Sequence, residues 1–121
     1  MTEVSPGSYG IVACFDLIHD LPDPDLGLEV LQKSMKQGGL FMLMDIEAED
    51  DPVDNNDPFG VFKLGINLHF CMTTSIWQGG QGLGTVGLSR RVLRDLCQKT
   101  EFSNVIKLDI QHPLNSLYLI E

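Results

Sequence analysis

The chain has 121 residues, 43% of them hydrophobic, which is enough for one modest core and too little for two domains. Lys and Arg total 8 against 17 Asp and Glu, and the resulting net charge of -9 repels the phosphates of nucleic acids and of anionic membranes alike. No apolar run approaches the ~18 to 20 residues that cross a bilayer, and no basic flank precedes an apolar N-terminal stretch, so the expectation is a cytoplasmic protein with neither membrane nor nucleic acid as partner.

After a loose Ser5-Pro6-Gly7-Ser8, the run from Tyr9 to Ile18 is apolar on both pleat faces, which predicts a central strand covered by helices on two sides. It stops at His19-Asp20-Leu21. Asp23 then has the chemistry of a helix cap, Pro24 suits the first helical position, and Leu28, Leu31 and Met35 recur at helical spacing. Gly38 and Gly39 read as the left-handed stop of that helix. Leu40 to Ile46 forms a second apolar strand, and a strand, a helix and a strand in that order predict a right-handed parallel crossover.

The stretch from Asp45 to Asp57 is dense in carboxylates and carries Pro52, Asn55 and Asn56, as a solvated loop does. From Phe59 to Trp77, Phe62, Ile66, His69, Phe70 and Thr73 fall at three- and four-residue intervals, which predicts an amphipathic helix inserted after the second strand. The glycines at 79, 80, 82, 84 and 87 follow. They trail an inserted helix and not a buried strand, so they fail the context test for a dinucleotide-binding turn. Ser89 opens another helix with Val92, Leu93, Leu96 and Cys97 as its apolar stripe, and two short strands, Val105 to Ile110 and Leu117 to Ile120, suit an antiparallel pair. Cys14, Cys71 and Cys97 are odd in number and widely spaced, and they read as reduced, buried thiols.

Three segments carry a family resemblance. Tyr9-Gly10-Ile11-Val12-Ala13-Cys14-Phe15-Asp16-Leu17-Ile18-His19-Asp20-Leu21 resembles the fourth strand and following turn of class I S-adenosylmethionine-dependent methyltransferases. Met35-Lys36-Gln37-Gly38-Gly39-Leu40 resembles the turn before their fifth strand, with Gln37 where proline is common. A third stretch, Leu68-His69-Phe70-Cys71-Met72-Thr73-Thr74 through Gly84-Thr85, is similar to a subgroup with a winged-helix-like segment ahead of the catalytic domain. The resemblance covers nearly the whole chain. It implies an α/β fold, a partial Rossmann-like sheet holding strands four to seven of seven, mostly parallel with one antiparallel edge strand, and an inserted loop and helix at about 47-87. The first three strands, the glycine-rich turn and the acidic residue that hold the cofactor would lie upstream.

The resemblance further implies methyl transfer from S-adenosylmethionine to an unidentified acceptor in a complete protein. Cys14, Phe15 and Asp16 would lie near the methionine end of the cofactor, with core packing as the other reading of Phe15. His19, just past a strand's carboxyl end, is the first candidate base, since an imidazole titrating near ~6.5 can take a proton from a hydroxyl or amine. Its other reading is a hydrogen bond to the turn. His69 is the second candidate, its alternative a core position. Asp45 and Glu47 end the second strand, where they can contact an amine or orient a histidine, their other reading being a plain solvated exit loop. Alternation along a strand separates Asp16, His19 and Asp20, so no metal site is expected. The first strand lacks its parental neighbour, which predicts pairing with an upstream half or a second copy in a dimer. The competing class is a non-catalytic binding or assembly module built on half of the sheet.

Overall fold

The computed structural model describes residues 5-121. Strand β1 (Tyr9–Phe15) leads through a 3₁₀ turn (Ile18–Asp20) into helix α1 (Pro24–Ser34) and strand β2 (Met35–Ile46). A long excursion then carries α2 (Pro58–Ile66), a π-helical turn (Asn67–Cys71) and α3 (Met72–Trp77). Helix α4 (Arg90–Lys99) and strands β3 (Val105–Lys107) and β4 (Asn115–Ile120) complete the chain.

The sheet has the order β1-β2-β4-β3. β1 and β2 are parallel, with Cys14 opposite Leu43 and Phe15 opposite Met44. β4 runs against both β2 and β3, so it is the single reversed strand and lies one place in from the β3 margin. The crossover, the parallel pair and the final antiparallel pair follow the sequence reading. β3 is shorter than expected, ending at Lys107, and β4 starts earlier, at Asn115.

The Asp23 carboxylate caps α1 by accepting from Leu26 N at 2.9 Å, with Pro24 in the first turn. The helix ends at Ser34, ahead of the glycine pair, and Met35 belongs to β2. Its last carbonyls find partners far upstream: Gly7 N donates to Lys33 O and Ser8 N to Ser34 O. That tertiary cap makes a glycine stop unnecessary. Gly38, at φ +72, instead serves a bulge that places four residues of β2, Lys36 to Gly39, against Gly10 of β1.

The core joins Ile18, Leu28, Phe41, Leu43, Leu93, Cys97, Tyr118 and Ile120, with Phe41 stacked on Phe102 at 5.7 Å between ring centres. Burial pushes the Cys97 thiol up to about 12, as an inert core cysteine should show. The other side of β1 is bare: Tyr9, Ile11, Ala13 and Phe15 are exposed on alternate positions, where the sequence predicts a covering layer.

The inserted helix also departs from expectation. Its inward side is Gly60, Asn67, Cys71 and Ser75, all small or polar, while Phe62, Ile66, His69, Phe70 and Trp77 are exposed. Periodicity located a face but assigned it to the wrong surroundings. Among the described residues no helix is long and apolar enough to cross a membrane.

Candidate functional site at the strand ends

The carboxyl ends of β1 and β2 lie side by side, and Asp16 N continues the pairing by donating to Met44 O at 2.9 Å. Asp16 takes a left-handed conformation, φ 48, which breaks the strand and turns the chain into the Ile18–Asp20 turn. Its carboxylate accepts from the amide of Asn115, tying the end of β1 to the start of β4.

Asp45, one residue from the end of β2 and only 1% exposed, organises this crevice. Its Oδ2 accepts from Ile18 N at 3.0 Å, and its Oδ1 accepts from Ile46 N at 2.8 Å and meets His19 Nδ1 at 2.5 Å. A buried carboxylate requires such donors, and here they come from the turn after one strand and from the next strand. The contact orients the imidazole: Nδ1 turns toward the Asp45 carboxylate, and Nε2 is the nitrogen turned away from it. His19 is 3% exposed. Burial alone would lower its pKa, but the Asp45 hydrogen bond and the charges of Asp45, Asp20 and Asp16 outweigh it and raise the ring above its ordinary value.

Nε2 lies 3.3 Å from Asp20 Oδ1, whose side chain is 38% exposed although that oxygen itself is shielded. Cys71, reaching in from the π-helical turn, completes the surroundings of Nε2 and Asp20. Sequence reasoning singled out His19 and named Asp45 as a residue able to orient a histidine; the structure joins them. It missed Cys71, which looked like an isolated core thiol, and the signal was its position one helical turn from Asn67 and Ser75 on the inward side.

The glycine-rich segment is a strap over this turn. Gln81 N donates to Pro22 O at 2.8 Å, Gly84 N to His19 O at 3.0 Å, Gly80 N to Ser75 O at 2.8 Å and Gly82 N to Ser75 Oγ at 3.1 Å. Gly80 is required by contact, since a Cβ there would sit 2.4 Å from Pro22 Cα. Gly80→Ala is therefore expected to lift the strap and destabilise the chain by about 1–3 kcal/mol. Gly65→Ala, with open space around its Cβ and a helical backbone, should stabilise by about 0.5–1 kcal/mol. Urea unfolding midpoints that move in opposite directions check the pair.

The remaining candidates are dispersed. The Cys14 side chain is buried in the core, its thiol raised by burial and by the charge of Asp45. Phe15 and Asp16 are exposed at the strand end, and His69 is exposed on the inserted helix. A groove of about 710 Å³ lies elsewhere, lined by Glu47, Arg90, Lys107, Asp109 and His112, with Lys107 paired to Glu47 across it. Burial would raise the Glu47 pKa, but the Lys107 contact prevails and lowers it.

No family model and no curated protein matches the sequence. Solved structures do. The chain is similar to "PigF with SAH" over 97% of its own length and 31% of that chain, at 21% identity and a TM-score of 0.70. It is similar to an O-methyltransferase family protein from Burkholderia thailandensis over 95% of its length and 30% of that chain, at 15% identity and TM-score 0.64. The trans-methyltransferase CalH in complex with SAH matches over the same shares, at 14% identity and TM-score 0.62. The fold is that of class I S-adenosylmethionine-dependent methyltransferases, and the chain spans about a third of the length of the structures it matches.

Proposed function

We propose that this chain is the acceptor-side half of an S-adenosylmethionine-dependent methyltransferase, completed by an upstream half that carries the cofactor cradle. A winged-helix-like segment would precede both, as in the subgroup that residues 68-85 resemble. The observation that carries the reading is the His19–Asp45 pair, assembled where two parallel strands end on one crevice, the place where open α/β sheets hold ligands.

The residues present do not by themselves fit the cofactor. The glycine strap spends the N–H groups of Gly80, Gln81, Gly82 and Gly84 on Ser75, Pro22 and His19, so these do not cradle a ligand, and the Asp16 carboxylate is engaged by Asn115. Phe15 and Asp16 offer an exposed margin for a ligand held mainly by the other half, while Cys14 contributes only backbone there. When bound, S-adenosylmethionine supplies a methyl group already activated on a sulfonium, so the protein has to position the acceptor and receive its proton. Asp20 is a half-buried carboxylate beside the His19–Asp45 pair, and His19 Nε2 next to it is the proton's destination, its affinity raised by Asp45. His69 and the exposed Phe62, Phe70 and Trp77 supply a second imidazole and an apolar wall for the acceptor.

In the completed protein, labelled S-adenosylmethionine offered with a panel of phenols and amines should yield a methylated product. His19→Gln should slow that transfer by about 10²–10⁴-fold with cofactor binding intact. An unchanged rate in the variant would remove His19 from the chemistry. Absence of any transfer, with cofactor bound, would favour the assembly-module reading that the bare face of β1 suggests.

A further inference from the structure

We propose that His19 Nε2, Asp20 Oδ1 and Cys71 Sγ form a binding site for a thiophilic divalent cation, with Zn²⁺ the ion that the donor set suits. One ligand atom from each of the three residues lies within 4.8 Å of the others, and the residues come from the turn after β1 and from the inserted helix. One imidazole nitrogen, one carboxylate oxygen and one thiolate sulfur are the ligand types that zinc prefers, and three protein ligands leave a fourth position open. The sequence expectation of no metal site considered Asp16, His19 and Asp20 alone; Cys71 is the missing donor.

Three features point to a ligand at this spot. Asp20 Oδ1 is shut off from solvent, and its neighbours are His19 Nε2, 3.3 Å away, and the Cys71 thiol, so all three donor atoms turn toward one another. The fully buried hydroxyl of Thr85 has no oxygen or nitrogen partner and faces the Cys71 sulfur, whose thiolate form it favours. Buried oxygens without partners are rare and call for an ion or water. Finally, the His19 Nδ1 contact to Asp45 is the carboxylate–histidine arrangement that fixes a metal-binding ring and leaves Nε2 to the ion. The site is enclosed, since His19 and Cys71 are both buried.

Binding exchanges the thiol proton for the cation: the Cys71 S–H bond breaks, the proton goes to the buffer, and the sulfur lone pair forms the metal bond. The ion would also occupy the lone pair that the proposed function leaves for a proton, so zinc should inhibit the completed enzyme. The site itself does not depend on the methyl-transfer reading, and its test is made on this chain alone.

Co²⁺ is titrated into the full chain under reducing conditions and followed by absorption. One equivalent should produce a thiolate-to-cobalt charge-transfer band together with tetrahedral ligand-field bands, and Zn²⁺ should displace both. The band should vanish in Cys71→Ser and persist in Cys14→Ser and Cys97→Ser. In the unaltered chain, Zn²⁺ should slow alkylation of Cys71, read by mass spectrometry, by at least about tenfold; this needs no variant to fold. Absence of a thiolate band, a band that survives Cys71→Ser, or Zn²⁺ without effect on Cys71 alkylation would overturn the assignment.

Discussion

Asp45→Ala should destabilise the chain by about 3–5 kcal/mol, the usual effect of removing one partner from a buried charged pair. The substitution strips an acceptor from Ile18 N, Ile46 N and His19 Nδ1 at once, and two of the three donors sit where no water can replace it. In a domain of this size that is a large share of the total stability, so the variant should be partly unfolded in the absence of denaturant. Asp54→Ala, in the exposed acidic loop, should change stability by no more than about 0.5 kcal/mol and serves as control. Urea titrations followed by far-ultraviolet circular dichroism give both numbers. Equal midpoints for the two variants would mean that Asp45 does not tie β2 to the turn.

The second large effect concerns assembly. Among the described residues β1 pairs with β2 only, so its outer edge offers free N–H and C=O groups along Tyr9-Gly10-Ile11-Val12-Ala13-Cys14-Phe15, a run with no charge and no proline. Natural edge strands avoid that composition. One face of the same strand is uncovered as well, with Ile11 68% exposed. At high concentration the chain should therefore elute as a dimer or larger species by light scattering. The double substitution Ile11→Lys and Phe15→Lys should return it to a monomer, as should joining it to a segment that covers β1. A clean monomer at every concentration would contradict this account of the edge.

Much of the frame was legible in the sequence for physical reasons. Two continuous apolar runs joined by a capped helix of crossover length admit few topologies, and Asp23 with Pro24 marks the helix start by chemistry that is local. Once β1 and β2 are parallel neighbours, His19 and Asp45, 26 residues apart in sequence, are brought to the same end. The features that escaped depend on distant partners. The end of α1 is set by Gly7 and Ser8 donating to its last carbonyls, which no property of Met35, Gly38 or Gly39 announces. The orientation of the inserted helix is set by Ser75, whose hydroxyl and carbonyl receive the strap, so the small polar side turns in and the aromatic side turns out. Apolar periodicity defines a stripe; it does not say whether this chain or another surface buries it. Cys71 escaped for the same reason, since its partners come from a turn some 50 residues earlier.

The central claim is that this half-sheet presents the acceptor side of a methyltransferase site and lacks the cofactor cradle. Calorimetric titration with S-adenosylhomocysteine tests it most directly, first on the chain alone and then on the chain extended upstream by a cofactor-binding half. The account predicts no measurable heat of binding in the first titration and saturable one-to-one binding in the second. Tight binding by the chain alone, or none by the extended protein, would contradict it.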